Sequence, residues 1–356
     1  MVKNCQLGPI LSYGSEGTVH SGSWQGTIAA IKVLTNQYAR RAETEMKLVR
    51  SLNQINIIKY YDLEYEKGIA YLSMEFITGG NLYEFIQKQV NSSSYWTIID
   101  QILQDVARGM AYIHNYRIIQ GDLKSHNILL RENTYQAVIC DFGIAKYLDN
   151  DHQEKKPMHT IGTIRWMAPE LCTPPPEPSS YLSDVWSYGC IILEVTSAHE
   201  PWTEQYNDDS LLFRALQRKE NAYLFARICT NQTGPLHLRQ LLIQCCAWSK
   251  TDRPQFTDIL RQFNVDEYAD CMSVDSTVSN EQSSTLERND DCHTKIQYQT
   301  KQNRNMAQTS TNSHGGRLTG EVYTSKGTAN GRPIYEGAKG GLYYLTPSGA
   351  KVYLHK

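Results

Sequence analysis

The chain has 356 residues and a formal net charge of −2, room for a sizeable core plus a smaller module, with no overall pull toward nucleic acid or a membrane surface. Its nine cysteines are scattered, with no C-x-x-C pair, so neither a zinc site nor a disulfide framework is suggested. The opening M-V-K-N-C-Q-L-G-P holds no apolar signal core and no run of about 18 apolar residues occurs, so a reduced, cytoplasmic setting without membrane insertion is expected.

In chain order, residues 7–13, 18–24 and 27–34 read as three strands. The first turn, S-Y-G-S-E-G-T-V, carries Gly14 and Gly17, and the third strand contains A-A-I-K, ending in Lys32. Glycines in such a turn let backbone N–H groups approach phosphate oxygens with no Cβ in the way. A Gly-x-x-Gly pair alone is more often a plain hairpin; its place just before A-A-I-K gives it weight. Residues 37–53 follow a helical period, with Ala42, Met46, Val49 and Leu52 on one stripe and Glu45 on the same stripe. A carboxylate there is solvated if the stripe is only core, and paired if the stripe faces Lys32. The pair is the expectation, with Glu43 as the fallback partner.

Two further strand-like runs, 60–65 and 69–76, lead into T-G-G-N at 78–81, a natural hinge between a sheet and a helical region. From Leu82 onward the period is helical. Trp96, Ile99, Leu103, Val106, Met110 and Ile113 mark a long amphipathic helix of the core.

The most informative stretch is I-I-Q-G-D-L-K-S-H-N-I-L-L at 118–130, followed by C-D-F-G at 140–143. Its apolar runs at 128–130 and 137–140 read as short buried strands facing each other across a turn. Such a hairpin brings two carboxylates, Asp122 and Asp141, to one edge with Lys124 and Asn127. Magnesium takes few protein oxygens, from one or two carboxylates plus substrate phosphates, so the set suits a metal–phosphate site. The bland alternative is two surface turns with ordinary Asp and Asn caps.

Residues 146–163 form a polar segment that holds Thr160 and Thr163 and runs into I-G-T-I-R-W-M-A-P-E. A loop of that length inside a compact domain is commonly functional, and a phosphate on either threonine would need a cationic partner. The stretch 182–197 is apolar on nearly all sides and reads as a buried helix. Its Asp184 caps either its own helix or a neighbouring loop. Helical runs fill 209–263, where Arg253 is a candidate partner for Glu170.

At about residue 264 the composition changes. Residues 264–315 are rich in Ser, Thr, Asn, Gln and Asp and too poor in large apolar groups to offset ordering entropy, so a disordered linker is expected. Residues 316–356 regain pattern, with alternating Tyr, Val and Leu broken by Gly-Gly and Pro-Ser-Gly, and read as β-hairpins. Six Lys/Arg face two Glu there, a local charge near +4. A basic, tyrosine-rich module of this kind could bind an acidic partner or nucleic acid, or be only a solvated capping hairpin.

Residues 5–263 resemble a eukaryotic-type protein kinase domain. The likeness rests on G-S-E-G-T-V at 14–19, A-A-I-K at 29–32, Glu45, D-L-K-S-H-N at 122–127, D-F-G at 141–143, A-P-E at 168–170, S-D-V-W-S-Y-G at 183–189 and Arg253 in D-R-P, in the family's order. W-M-A-P-E, D-L-K-S-H-N and D-V-W-S-Y-G are similar to the tyrosine-kinase-like branch, near mixed-lineage and other MAP kinase kinase kinases. The last forty residues resemble a short basic adaptor domain appended to kinases of large algal viruses. The resemblance implies an α+β, bilobal fold: a small β-rich lobe with one main helix, a larger helical lobe, and a short C-terminal β module. It implies ATP and Mg2+ as cofactors and protein substrates, a downstream kinase among them.

The same resemblance implies residue roles. Lys32 would hold the α- and β-phosphates, oriented by Glu45, under a loop made by Ser12, Gly14 and Gly17. Val19, Ala30 and Leu129 would flank adenine beside the gatekeeper Met74, with Glu75 to Ile77 offering backbone hydrogen bonds. Asp141 and Asn127 would bind magnesium, Asp122 would take the substrate hydroxyl's proton, and Lys124 would neutralise the γ-phosphate. Lys124 also favours serine/threonine over tyrosine substrates.

Two departures stand out. The family's His-Arg-Asp is Gln120-Gly121-Asp122, which is expected to put a polar amide into a core column and loosen it. It also removes the usual arginine for an activation-loop phosphate, leaving Lys146 or Arg165 to serve. The first glycine of the phosphate loop is Ser12. These changes motivate an alternative reading, a pseudokinase scaffold without turnover.

Overall fold

Alternating β-branched, aromatic and small residues build an antiparallel sheet from the first part of the chain. Its strands are β1 (Cys5–Tyr13), β2 (Gly17–Trp24), β3 (Thr27–Leu34), β4 (Tyr60–Glu66) and β5 (Ile69–Glu75), in the order β1-β2-β3-β5-β4. In this computed structural model the described residues are 4–14, 16–35, 38–148 and 164–263, with the backbone of 317–323, 332–336, 342–345 and 351–353. The expected linker at 264–315 and both loop threonines, Thr160 and Thr163, lie outside them.

Strand register sets which residues share a face of this sheet. Val19 pairs with Lys32 and Lys32 with Leu72, while Ala30 pairs with Met74. Directly opposed residues share a face of an antiparallel sheet, and so do residues two apart on one strand. Val19, Ala30, Lys32, Leu72 and Met74 therefore stand on one face. Helix α1 (Ala39–Val49) lies against β4 and β5 and buries Ala42, Glu45, Met46, Leu48 and Val49. The helix stops short of Leu52, which packs against the core from the following turn.

The larger lobe is helical. α2 (Leu82–Gln89) starts at Asn81, whose side chain accepts from the Glu84 N–H. α3 (Tyr95–Asn115) buries one long stripe, and α5 (Tyr181–Ser197) is buried nearly all round. α4 (Pro169–Cys172), α6 (Asp209–Leu216), α7 (Ala222–Thr230), α8 (Leu236–Cys245) and α9 (Phe256–Gln262) complete it. Arg253 and Glu170 form the expected pair, with two hydrogen bonds of 2.7 and 2.8 Å, and Arg253 also donates to the Leu182 carbonyl. A bidentate pair buried this deeply is costly to break from one side.

Between these helices and the sheet sit two short pairs, β6 (Ile118–Ile119) with β9 (Lys146–Tyr147), and β7 (Ile128–Leu130) with β8 (Ala137–Ile139). The second pair is the hairpin expected from the two apolar runs. It is bonded to both connections that enter the small lobe. The Ile58 N–H donates to the Ile139 carbonyl at 2.9 Å and the Ile139 N–H to the Asn56 carbonyl at 2.8 Å. On the other side the Gly79 N–H donates to the Leu130 carbonyl at 3.0 Å and the Leu130 N–H to the Gly80 carbonyl at 2.9 Å. A Cβ on Gly79 would lie 2.4 Å from the Leu130 oxygen, so only glycine allows this contact.

The chain divides into two units, Met1–Ser279 and Asn280–Lys356. In the second, β10 (Arg317–Tyr323), β11 (Arg332–Glu336), β12 (Leu342–Leu345) and β13 (Lys351–Tyr353) form an antiparallel meander in chain order. Tyr335, Tyr343 and Tyr353 fall on one register line across it. No helix among the described residues is long and apolar enough to cross a membrane.

Candidate active site

The cleft between sheet and helices holds a cavity of about 700 Å³, within the ~300–1,000 Å³ range of ligand sites. Ser12, Gly14, Gly17, Val19, Ala30, Met74, Glu75, Ile77 and Leu129 line it, together with Lys32, Glu45, Asp122, Lys124, Asn127 and Asp141. Every site residue expected from the sequence thus faces one space.

Lys32 is the electrostatic centre. Its Nζ donates to Asp141 Oδ1 at 2.8 Å and to Glu45 Oε2 at 3.5 Å, and lies 4.0 Å from Glu16 Oε2. Burial alone would favour neutral lysine, but Asp141, Glu45 and Glu16 together hold its pKa above the ordinary range. Glu45 is buried, which raises its pKa against the pull of Lys32. The Tyr60 hydroxyl and, at 3.1 Å, the Phe142 N–H both donate to Glu45 Oε1. Glu43, the fallback, instead accepts from the Tyr65 hydroxyl at 3.1 Å on the exposed side. Burial would raise the pKa of Asp141, but the Lys32 ammonium outweighs it and keeps the carboxylate ionised. Asp141 has a φ of 58°, a conformation costing about 1–3 kcal/mol that persists where surrounding contacts enforce it.

Below Lys32, the turn from β6 to β7 carries the remaining groups. Lys124 Nζ donates to Asp122 Oδ2 at 2.8 Å. Asn127 Nδ2 donates to the Asp122 carbonyl at 2.9 Å and to Asp122 Oδ2 at 3.1 Å. That commits the amide nitrogen, so the amide oxygen is the end that could face a cation. With the Asp141 carboxylate it makes a hard-oxygen donor set of the kind magnesium takes. Among the described residues no group of three or more His, Cys, Asp or Glu could hold a metal, so a cation here would need further oxygens from a ligand. Two buried carboxylates fix the turn from beneath. Asp184 accepts from the Gln120 and Gly121 N–H groups at 3.0 and 2.9 Å and pairs with His114 Nε2, so it serves the neighbouring loop. Glu194 accepts from Ser125 Oγ at 2.7 Å, and its burial pushes its carboxyl up to about 8.

Comparison with known proteins agrees with this geometry. Residues 6–263, more than half of the chain, match the protein kinase domain family. The chain belongs to the protein kinase family. Among its relatives is the serine/threonine-protein kinase A-Raf of Mus musculus, 30% identical over 264 residues, which are 72% of this chain and 42% of A-Raf. A-Raf of Sus scrofa matches equally. A viral relative, named as serine/threonine-protein kinase/receptor R826 of Acanthamoeba polyphaga mimivirus, is 26% identical over 265 residues, 73% of this chain and 16% of that protein. The chain therefore spans less than half the length of these relatives.

Within this kinase domain the departures at 120 and 121 take an unexpected form. Gln120 is fully buried, yet its amide is satisfied at both ends: Nε2 donates to the Asp141 carbonyl at 3.0 Å and Oε1 accepts from the Asp122 N–H at 2.6 Å. Far from loosening the core column, it ties the two aspartates' backbones together. Gly121 sits at φ 79°, a left-handed conformation that favours glycine over the arginine it replaces. The expectation that Arg165 could serve a loop phosphate is also corrected. Its guanidinium is buried and engaged by Asp209 at 2.9 Å, Glu200 at 3.4 Å and the Pro201 carbonyl, whereas Lys146 is exposed.

Sequence reasoning missed Tyr60 and Glu16 as neighbours of the Lys32 cluster. Glu16 was visible as an acid in the glycine turn, but its partners, Lys32 and Arg41, lie on other elements.

Replacing Gln120 with leucine removes its bonds to the Asp141 carbonyl and the Asp122 N–H and should lower stability by about 1–3 kcal/mol, read from thermal or urea unfolding. The Glu194 carboxyl, about 8 in the folded protein against an ordinary 4.5, gives a second test. Between those pH values the unfolded chain loses its proton while the folded chain keeps it. The stability that Glu194 contributes should therefore decline as pH rises from roughly 5 to 8. Glu194→Gln should flatten that slope in urea titrations; an unchanged slope would refute the assignment.

Proposed function

We propose that this protein is a serine/threonine protein kinase that transfers the γ-phosphoryl group of ATP to hydroxyl groups of protein substrates. The observation that carries the reading is the convergence on one cavity of Lys32, held by Glu45 and Asp141, with Asp122 flanked by Lys124 and Asn127. Lys32 grips the α- and β-phosphates and Glu45 keeps the ammonium aimed. Ser12, Gly14 and Gly17 cover the phosphates; Val19, Ala30 and Leu129 sandwich adenine beside Met74, with backbone bonds from Glu75 to Ile77. Asp141 and Asn127 would hold Mg2+, which would screen the phosphate charge. Asp122 accepts the hydroxyl proton as the new O–P bond forms and the bond to ADP breaks, while Lys124 balances charge on the transferred group. Such transfer needs positioning and electrostatics rather than covalent chemistry from the protein.

Lys124 and the names of the relatives support serine/threonine specificity. The motifs shared with mixed-lineage-type kinases support a MAP kinase kinase kinase-like role with a downstream kinase as substrate. The competing reading, a pseudokinase scaffold that binds nucleotide or a partner kinase without turnover, takes its support from Gln120-Gly121. The full chain, Asp122→Asn and Lys32→Met separate the two by radiolabel transfer from ATP. Both variants should lose about 10²–10⁴-fold in rate, with label on serine and threonine. Equal background in all three proteins would favour the scaffold.

We assign the basic C-terminal module to capture of an acidic partner, on the local charge near +4 of residues 316–356. Deleting these residues should leave peptide phosphorylation within about twofold and abolish retention on an acidic polypeptide such as polyglutamate. Retention by the shortened chain would discard the assignment.

A further inference from the structure

Among the charges that line the cleft without a part in the roles above, Glu16 is the one that touches Lys32. Glu16 lies in the glycine turn between β1 and β2, two residues after Gly14 and directly before Gly17. Its carboxylate joins two cations on other elements: Oε1 accepts from Arg41 on α1, and Oε2 lies 4.0 Å from Lys32 on β3. Arg41 precedes Glu45 by four residues, so both stand on the side of α1 that faces the cleft. The reach extends to the D-F-G turn. A Cβ built on Gly143 would lie 3.5 Å from Glu16 Oε2, 3.3 Å from Asp141 Oδ1 and 3.6 Å from Glu45 Oε2. The Glu16 side chain is only 18% exposed and that of Lys32 13%. An anion thus already stands where the anionic end of a nucleotide must come, next to the ammonium that must receive it. A carboxylate and a polyphosphate cannot both approach one ammonium without repelling each other.

We propose that Glu16 is a built-in stand-in for phosphate: it shares Lys32 with Asp141 and Glu45, yields its place to an entering nucleoside triphosphate, and is then held aside by Arg41. The inference rests on the nucleotide reading of the cleft and adds to it a residue that sets how strongly the phosphates bind. Its direction is specific. Glu16 weakens the phosphate-dependent part of binding, and Arg41 relieves that weakening by drawing the carboxylate off Lys32.

Calorimetric titration of the full chain tests this with two probes, a magnesium complex of a nonhydrolysable ATP analogue and adenosine, which has no phosphate. Glu16→Gln should bind the analogue about three- to tenfold more tightly, the scale of a partly buried charge pair. Arg41→Met should bind it more weakly by a similar factor, and the double variant should behave like Glu16→Gln. Adenosine affinity should stay within about twofold throughout, and added salt should shrink the differences for the analogue. Unchanged or weaker analogue binding by Glu16→Gln would overturn the proposal, as would an equal gain for adenosine, which would signal general loosening of the turn. If wild type and variants alike bind neither probe, the nucleotide reading fails and takes this inference with it. Wild-type binding without the Glu16→Gln gain sinks this inference alone.

Discussion

The ion cluster at Lys32 is the contact on which the arrangement turns. One ammonium, largely out of water, draws Glu45 from a helix, Asp141 from beyond the β7–β8 hairpin and Glu16 from a glycine turn. None of these carboxylates is close to Lys32 in sequence, so the cluster exists only if strand, helix, hairpin and turn are all correctly placed. An ammonium buried without anions is strongly disfavoured, and an unpaired buried carboxylate equally so. The charges therefore select among packings of the two lobes, where apolar surface alone would tolerate several.

A second polar layer supports the first. Asp184 and Glu194, both from α5, point at the backbone and side chains of the turn that carries Asp122, and Gln120 links that turn to Asp141. A turn studded with groups for chemistry cannot also carry much apolar anchorage, so buried hydrogen bonds position it instead. The replacement of histidine and arginine by Gln120 and Gly121 fits this layer. The amide spans two backbone groups, and the glycine takes up a backbone angle that larger residues resist.

Much of this was legible in the sequence because it was written in local pattern. Strand β3 and the β7–β8 hairpin follow from apolar runs bounded by turns, and α3 and α5 follow from their helical periods. Glu45 was assignable because it sits on an otherwise apolar stripe, where a carboxylate needs a partner. The remainder depended on tertiary proximity. Nothing near Gln120 says that its two ends meet the backbones of Asp122 and Asp141, so a buried amide read as a weakness. Nothing near Arg165 announces Asp209, and Tyr60 looked like any strand tyrosine until α1 was laid across β4. Residues whose role is fixed by their own segment were readable; those whose role is fixed by a distant segment were not.

The hairpin of β7 and β8 carries a mechanical consequence. Four backbone bonds clamp it to the chain entering β4 and to the chain leaving β5. Any swing of one lobe that preserves those bonds must pivot along the hairpin, like a door on its post. Points on the post, such as Leu129, then move least, while points farther from it sweep wider arcs. One end of the cleft is a fixed gauge and the other an adjustable jaw, a division of labour set by where four amide protons happen to be spent.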